Sequence, residues 1–502
     1  MDVFLNGLDF LASPLTVAWI VMGSIIGIIL GALPGLTATM GVALMLPISL
    51  HLPTAAGMAM LLAVYEGAVA GASIPAILLG IPGNPNALAT VRDGFAMTQK
   101  GQAGLALGAA AVASLIGGLL SLVALMFFSP FLARATLAFG PAEKFTLAAL
   151  GLLVIAAMSR KDMARGIAMG ALGVCLSLTG PDPFTNVPRL PFADYLAGTS
   201  LQNGIELIPA LIGLFGIAQS LIDAERLHMP AGAAPVLRLR NVFPSFADLR
   251  RMWRIIAEST GIGTLIGAIP GAGASVAVFL AHERARDLTA RKPVDEQVGQ
   301  GSIEGVVAPE VANNAVTGGA LIPVLALGIP GDAVTSILLG ALLIHGVVPG
   351  PMLFAENMPL VYAIFTGMGV ALIAMFVFQL AGVRIFPLLL RVPLSFLIPI
   401  VLVFSCVGTF AADGQAPAKA LYNMAVSMAF GIAGYGLRKG GYPLVPLVLG
   451  LILGPMLESN YRLAVKLAQG DYFAVLYSPL VPVMLAVAAA LVLFSYFSKS
   501  AE

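Results

Sequence analysis

The tetrapeptide Gly80-Ile81-Pro82-Gly83 returns 248 residues later as Gly328-Ile329-Pro330-Gly331. The match extends upstream, where Gly71–Pro75 corresponds to Gly319–Pro323 and differs from it only at the third residue. Proline lacks a backbone N–H and glycine tolerates a left-handed backbone, so the tetrapeptide predicts the end of a helix. A hydrophobic chain that is interrupted at the same motif in two places is typical of an internally repeated membrane protein.

A second repeated element precedes each tetrapeptide. Pro34-Gly35 corresponds to Pro270-Gly271, 236 residues later. Two glycines before each pair recur at the same offset, since Gly27 and Gly31 correspond to Gly263 and Gly267. The two elements come in the same order in both copies, and their offsets differ by only 12 residues. The polar insert His282–Glu304 of the second copy can accommodate that difference.

The composition indicates an all-α polytopic membrane protein. Of the 502 residues, 59% are hydrophobic and 10% are charged, and the mean hydropathy is +0.96. Soluble domains carry about 25% charged residues. Apolar runs such as Leu105–Pro130, Leu360–Val383 and Leu480–Phe497 approach or exceed the ~20 residues that cross a bilayer as a helix. Because lipid requires every backbone polar group to be satisfied internally, we predict about 10–12 transmembrane segments with Pro-Gly-broken or re-entrant helices.

Several other classes of protein are excluded by the sequence. A net charge of +1 leaves no basic surface for nucleic acid. Cys175 and Cys406 lie singly in apolar surroundings, which indicates neither a disulfide framework nor a metal site. Gly261-x-Gly263 lacks the strand and the ribose-binding acid of a nucleotide loop. Gly331-Asp332 resembles an intramembrane aspartyl protease motif, but no second aspartate has a matching context. We therefore predict no enzyme, no catalytic residue and no cofactor.

The distribution of lysine and arginine predicts opposite orientations for the two copies. These residues accumulate in cytoplasmic loops. The first Pro-Gly element has no Lys or Arg between Met1 and Thr54, whereas the second is flanked by arginines on both sides. The tetrapeptides show the reverse, since Arg92 and Lys100 follow the first and no Lys or Arg follows the second before Arg384. We predict two inverted-topology repeats.

The repeat also predicts how the chain is divided. We assign residues 1–225 to a first membrane half, 226–257 to a basic, cytoplasmic linker, and 258–502 to a second membrane half. After the first tetrapeptide, Arg92, Asp93 and Lys100 are expected to mark a water-facing loop.

The helix breaks are the predicted substrate site. Several N–H groups at the start of a half-helix point into one space and attract anions without a buried cation. Unpaired backbone at a break must also line a wet cavity or be covered by protein. We predict that a carboxylate is bound by the breaks and by polar residues beside them: Pro34, Gly35, Thr37, Thr39, Pro82, Gly83, Asn84, Asn86, Pro270, Gly271, Ser275, Asn313, Asn314, Thr317, Pro330, Gly331, Asp332, Thr335 and Ser336.

Three acids inside or beside apolar segments are candidates for binding a coupling ion, Na⁺ or H⁺: Glu66, Glu310 and Asp332. Each has a structural alternative. Asp332 is placed to cap a helix, Glu310 follows Pro309 and could begin one, and Glu66 could face the lipid boundary or a structural partner. Adjacent amides at Asn313 and Asn314 need many hydrogen bonds in an apolar helix, which favours a binding role.

The residues around the breaks resemble the large membrane subunit of tripartite tricarboxylate transporters, the TctA family. The resemblance lies in Gly31-Ala32-Leu33-Pro34-Gly35-Leu36-Thr37-Ala38-Thr39, Pro75–Gly94, Ala308–Asn314 and Gly328–Phe354, and it covers nearly the whole chain. One departure is Tyr65–Gly71, where the resemblance implies more glycine and no acid such as Glu66. An acid there is expected to influence the preferred anion or the coupling ion.

This resemblance implies a multi-pass secondary carrier of the bacterial inner membrane. It further implies two protein partners, a small transmembrane subunit (TctB-like) and a periplasmic solute-binding protein (TctC-like). The expected activity is uptake of citrate or related carboxylates, driven by an ion gradient rather than by ATP. The alternatives are an anion channel, because broken helices also build pores, and a secondary carrier that needs no binding protein.

Overall fold

The apolar runs of the sequence fold into helices, as the requirement for internal hydrogen bonding in lipid predicts. The computed structural model describes residues 10, 13–157, 163–190, 204–225, 242–411 and 417–486, and these contain no β-strand. In chain order the α-helices are α1 (Pro14–Ala32), α2 (Ala38–Ser49), α3 (Thr54–Gly71), α4 (Ser73–Leu79), α5 (Leu88–Gln99), α6 (Ala103–Thr136), α7 (Pro141–Ala157), α8 (Met163–Ser177), α9 (Leu207–Leu211), α10 (Ala218–Ala224), α11 (Phe246–Arg251), α12 (Trp253–Ala268), α13 (Gly273–Thr289), α14 (Glu304–Leu327), α15 (Ala333–Ile344), α16 (Pro351–Glu356), α17 (Met358–Ala381), α18 (Phe386–Leu389), α19 (Leu394–Ala411), α20 (Pro417–Lys439) and α21 (Leu444–Leu467). A π-helical turn, Ile212–Ile217, joins α9 to α10.

The predicted fold class, an all-α polytopic membrane protein, is confirmed. Among the described residues, 8 helices are long and apolar enough to cross a membrane. They are Pro14–Ala32, Thr54–Leu79, Ala103–Thr136, Leu207–Ala224, Glu304–Leu327, Met358–Arg384, Lys419–Lys439 and Leu444–Leu467. Shorter apolar helices, such as α2 and α15, lie beside these long ones. The total of 10–12 segments, which refers to the whole chain, stays a prediction. Most of the predicted run Leu480–Phe497 lies outside the described residues.

The chain divides into two compact units, each built from two separate segments. The first unit is Met1–Ala133 with Ile222–Val401, and the second is Arg134–Leu221 with Leu402–Glu502. Both Pro-Gly elements and both tetrapeptides belong to the first unit. The predicted halves 1–225 and 258–502 contribute to both units, so they stay a prediction about internal symmetry. Residues 226–241 of the predicted linker lie outside the described residues, and its remaining part, 242–257, contains α11 and the start of α12.

Close glycine contacts hold the helices of each copy together in the first unit. A Cβ atom on Gly31 of α1 would lie 2.2 Å from the carbonyl oxygen of Ala68 on α3. A Cβ atom on Gly267 of α12 would lie 2.6 Å from the carbonyl oxygen of Val316 on α14. Gly267 lies 236 residues after Gly31, and Val316 lies 248 residues after Ala68. The second contact is therefore the repeat equivalent of the first. Gly31 and Gly267 therefore let the backbones of two helices come into close contact.

The breaks have the same backbone geometry in the two copies. Leu33, after α1, has φ −89° and ψ 116°, and Ile269, after α12, has φ −88° and ψ 112°. The first glycine of each tetrapeptide is the left-handed C-cap of the preceding helix, with φ +69° at Gly80 and +70° at Gly328. A left-handed backbone costs glycine little and other residues more, so these positions require it.

The second unit contains a different helix pair and an ion-pair network. A Cβ atom on Gly173 of α8 would lie 2.0 Å from the carbonyl oxygen of Leu447 on α21. Glu458 of α21 bonds Arg189 at 2.5 Å and Arg462 at 3.1 Å. None of the predicted site residues lies in this unit.

Candidate functional site

The two copies contact each other where α3 and α14 meet. Glu66 and Asn314 are equivalent positions in the repeat, since 248 residues separate them, and their side chains are bonded. The Nδ2 atom of Asn314 donates a hydrogen bond of 3.2 Å to Oε2 of Glu66. The neighbouring Asn313 donates from Nδ2 to the carbonyl oxygen of Val69 at 3.4 Å. Asn313 and Asn314, the adjacent amides of the predicted site, therefore both join one copy to the other.

Three acceptor atoms at this crossing are buried without a hydrogen-bond partner. They are Oε1 of Glu66, Oδ1 of Asn313 and Oδ1 of Asn314. The Thr317 hydroxyl lies one turn further along α14 and donates to the carbonyl oxygen of Asn314 at 2.6 Å. A buried acceptor without a donor is costly, so each such atom in a folded protein requires an explanation.

Each Pro-Gly half-helix packs against the segment after the tetrapeptide of the other copy. Helix α2 packs against α15, and α13 packs against the 3₁₀ turn Pro85–Ala87. The hydroxyl of Ser275 donates to Oδ1 of Asn86 at 2.7 Å across the second of these contacts. Within the second copy, the backbone N–H of Gly271 donates to the carbonyl oxygen of Gly331 at 2.8 Å. The four breaks are thus brought into one region of the first unit.

Side-chain caps begin three of the segments after the breaks. Thr37 accepts from the N–H of Met40 at 3.2 Å and caps α2. Asn84 accepts from two backbone N–H groups of the turn Pro85–Ala87, which has proline in its first position. Asp332 caps α15 through a reciprocal capping box with Thr335, as its structural alternative predicted. Asp332 and Asn84 are equivalent positions of the repeat, so the cap is acidic in the second copy and neutral in the first.

Tyr65 was missed as a site residue by the sequence analysis. Its ring is buried, and its hydroxyl donates to Oδ2 of Asp332 at 2.8 Å. The bond joins α3 of the first copy to the start of α15 in the second. No local signal could have predicted it, because the partners are 267 residues apart.

We expect Tyr65→Phe to lower the free energy of unfolding by about 1 kcal/mol, the value of one hydrogen bond. The effect is modest because Asp332 is half-buried and keeps its bonds from Thr335. Thermal unfolding in detergent measures it, and Tyr362→Phe on α17 is the control. An equal loss in both variants would contradict a specific role for the Tyr65 hydroxyl.

Exposure separates the predicted site residues into two groups. Half-buried residues, which a ligand reaches with small movements, are Pro34, Gly35, Thr37, Thr39, Pro82, Asn86, Pro270, Gly271 and Asp332. Fully buried residues are Gly83, Asn84, Ser275, Asn313, Asn314, Thr317, Pro330, Gly331, Thr335 and Ser336. Most of the half-buried residues lie at the breaks. The buried residues include those that bond one copy to the other and those that cap the segments after the tetrapeptides.

Glu310 lies inside a helix and not at its start, so the structural alternative for this residue is wrong. Helix α14 begins at Glu304 and continues through Pro309. Glu310 is buried, and its Oε1 atom accepts from the Thr90 hydroxyl at 2.5 Å. The Ser114 hydroxyl lies beside the same carboxyl group, and neither this hydroxyl nor Oε2 of Glu310 has a hydrogen-bond partner. One hydroxyl group thus bonds this acid, and a second is available to it.

The expected water-facing loop after the first tetrapeptide is helix α5, and its Asp93 is completely buried. The carboxylate accepts from the backbone N–H groups of Gly299, Gly301 and Ser302 at 2.8–3.0 Å. His282 donates to it from Nε2 at 3.2 Å. The prediction of a loop was therefore wrong, and Asp93 does not face water because the polar insert folds around its side chain. Arg92 and Lys100 are exposed, as expected.

The surroundings of Asp93 also set its pKa. Burial raises the pKa of this carboxyl group, but the hydrogen bonds from His282 and from the three backbone N–H groups outweigh burial and hold the pKa below its ordinary value. Asp93 is therefore ionised at neutral pH and connects α5 to the polar insert as a carboxylate.

A cavity of about 770 Å³ lies beside the polar insert and away from the breaks. Its charged lining combines basic and acidic side chains in equal number, and Lys292 is bonded to Glu304 at 2.6 Å. Such a lining has no net charge that would favour an anion, so we do not place the substrate there.

Comparison with known proteins gives a family and two relatives. A family model described as the tripartite tricarboxylate transporter TctA family matches residues 17–449. The chain is 30% identical over 498 residues to an uncharacterized 52.8 kDa protein in the TAR-I ttuC' 3' region of Agrobacterium vitis, covering 99% of this chain and 96% of the relative. It is 31% identical over 209 residues to an uncharacterized protein in the TAR-II ttuC' 3' region of the same organism, covering 42% of this chain and 83% of the relative. No solved structure matches the chain.

Proposed function

Because the chain belongs to the tripartite tricarboxylate transporter TctA family, we propose that it is the large membrane subunit of a binding-protein-dependent secondary carrier that imports carboxylates. The family resemblance of the Pro-Gly motifs is thereby confirmed. The proposed partners are a small transmembrane subunit and a periplasmic solute-binding protein, and the proposed location is the bacterial inner membrane. A tricarboxylate such as citrate is the first substrate to test.

The observation that carries this proposal is the convergence of the four breaks from both copies. The half-buried Thr37, Thr39 and Asn86 supply neutral polar groups there, and first-turn N–H groups of the half-helices have no partner within their own helix. Helix starts of this kind attract carboxylates without a cationic side chain. Since Asn84 is a neutral cap and Asp332 an acidic one, the start of the first-copy segment is the more favourable place for an anion.

Transport would follow from alternating access at the interface between the copies. The contacts across this interface include the hydrogen bonds from Ser275 to Asn86 and from Tyr65 to Asp332. Movement of one copy against the other would exchange these bonds for bonds to water or substrate. A Na⁺ or H⁺ gradient would drive the cycle, and the two copies are proposed to be inverted repeats.

Uptake of labelled citrate and other carboxylates into proteoliposomes tests the proposal. The chain is reconstituted with its small subunit, with and without the binding protein, under imposed Na⁺ and H⁺ gradients. We expect gradient-driven uptake that requires the binding protein. In Asn86→Ala, loss of a hydrogen bond worth about 1.5–3 kcal/mol to a bound carboxylate should weaken apparent affinity roughly tenfold or more.

The control is Asn357→Ala, because Asn357 is exposed in the connection between α16 and α17. It should transport like the wild type. Passive flux that ignores both the gradients and the binding protein would contradict a carrier and favour an anion channel. Gradient-driven uptake without the binding protein would favour an independent secondary carrier.

A further inference from the structure

Glu66 is a buried acid with one carboxylate oxygen that has no hydrogen-bond partner. It lies in the interior of α3, with no exposed surface. Its Oε2 atom accepts from Asn314, whereas its Oε1 atom has no partner. Oδ1 of Asn314 also has none. Two side chains that share one hydrogen bond thus present two acceptors that lack a donor.

Nearby hydroxyl groups do not supply the missing donor. The Thr317 hydroxyl interacts with the Glu66 carboxyl, but its one proton is committed to the carbonyl oxygen of Asn314. The Tyr65 hydroxyl, on the adjacent residue, is committed to Asp332. A proton on Oε1 of Glu66 would be the donor that the pair lacks, because an acid and an amide form two complementary hydrogen bonds.

No cation compensates a charge on Glu66 among the described residues, since none of their ion pairs includes it. Of the helices packed against α3, α1, α2 and α4 contain no titratable side chain. The titratable residues on or beside the remaining ones are Tyr362, Glu304, Glu310, Asp332 and His345. His345 contacts Gly57, about 14 Å along the helix from Glu66. An ionised Glu66 would therefore be buried and uncompensated, a state that proteins avoid by neutralising the group.

We propose that Glu66 is the proton-binding group of the transport cycle and that the coupling ion of this carrier is H⁺. One proton adds to Oε1 and neutralises the carboxylate, and the resulting acid pairs with the Asn314 amide. This inference rests on the proposed function, and it decides between the two coupling ions left open there.

The position of the pair explains how proton binding and movement are coupled. Glu66 and Asn314 belong to different copies, so the protonated pair joins α3 to α14 in the closed arrangement. Loss of the proton leaves a charge that requires water, and water reaches Glu66 only when the two helices separate. Glu310 also has a buried oxygen without a partner, Oε2, but a donor is available there. The Thr90 hydroxyl donates to Oε1, and the Ser114 hydroxyl beside this carboxylate has no other partner and can donate to it. Glu310 is therefore not assigned this role.

The test compares Glu66→Gln with Glu310→Gln in the reconstituted complex with its small subunit and binding protein. Glutamine has the shape of the protonated acid and keeps the contact with Asn314. We expect an inward H⁺ gradient to accelerate carboxylate uptake by the wild type and by Glu310→Gln. Glu66→Gln should lose this acceleration and retain exchange of labelled for unlabelled substrate. Wild-type uptake that responds to Na⁺ alone, or full H⁺ acceleration in Glu66→Gln, would overturn the proposal.

Infrared spectroscopy provides a readout that does not depend on transport. At neutral pH, the spectrum of the wild type minus that of Glu66→Gln should contain the C=O stretching band of a protonated carboxyl, so that a contribution from Glu310 cancels. Asn314→Leu, which removes the amide, should shift the frequency of this band. A difference spectrum without the band overturns the proton site even if uptake is gradient-driven. With the band present and gradient-driven uptake absent, the proton site stands and the carrier function fails.

Discussion

Gly31→Ala is expected to destabilise the protein by about 1–3 kcal/mol or more, although it adds only one methyl group. The new Cβ would lie 2.2 Å from the Ala68 carbonyl oxygen, and its neighbours within 3 Å are backbone atoms that cannot rotate away. Helices α1 and α3 would have to separate, and this would also displace Glu66 on α3. Gly267→Ala should have a similar effect in the second copy, where its Cβ meets the Val316 carbonyl oxygen at 2.6 Å.

Gly261→Ala is the matched control for Gly267→Ala, because both residues lie on α12. No atom lies within 4 Å of a Cβ atom placed on Gly261. Alanine is favoured over glycine in a helix by about 1 kcal/mol, so this variant should be neutral or slightly stabilising. Thermal unfolding in detergent measures all three variants. Equal stability of Gly267→Ala and Gly261→Ala would show that the close contact of α12 with α14 is not required.

Asp93→Asn is expected to lower the free energy of unfolding at neutral pH by about 3 kcal/mol, the typical cost of disrupting a buried, hydrogen-bonded charge. An amide has one acceptor oxygen and directs an NH₂ group at N–H donors that now face a carboxylate. The polar insert would detach from α5 around Gly299 and Gly301, where the carboxylate accepts backbone N–H groups. Glu296→Gln, an exposed acid in the same insert, should change stability by less than about 0.5 kcal/mol.

The effect of Asp93 should also depend on pH. Its folded pKa lies below the ordinary value, so the carboxylate contributes full stability above that value. This contribution is lost as the pH falls through the lowered folded pKa. Unfolding curves of the wild type and Asp93→Asn should therefore converge as the pH falls below about 4. A difference that is independent of pH in this range would contradict the role of the carboxylate charge.

Features that depend on short stretches of chain could be predicted. Helices form wherever apolar runs must satisfy their backbone in lipid. The left-handed Gly80 and Gly328, the cap at Asn84 and the cap at Asp332 follow from residues within one helical turn. The spacing of four residues between Gly27 and Gly31, and between Gly263 and Gly267, places each pair on one helix face and favours close helix packing.

The errors came from segments whose environment is set by distant residues. Local charge indicated a water-facing loop around Asp93, but the insert that covers this residue is about 200 residues away in the chain. A helix start was one interpretation of Glu310 because proline precedes it, but α14 begins earlier and continues through Pro309.

By itself, the sequence determined the membrane class, the positions of the breaks and the caps, and the family, because these are encoded in composition and in motifs of a few residues. Only the tertiary structure decided that Glu66 pairs with its repeat equivalent Asn314 and that Tyr65 reaches Asp332. The physical reason is that a buried polar group takes its partner from whichever helix packs against it. That choice depends on helix packing between the copies, and residues 248 or 267 positions apart carry no local sign of it.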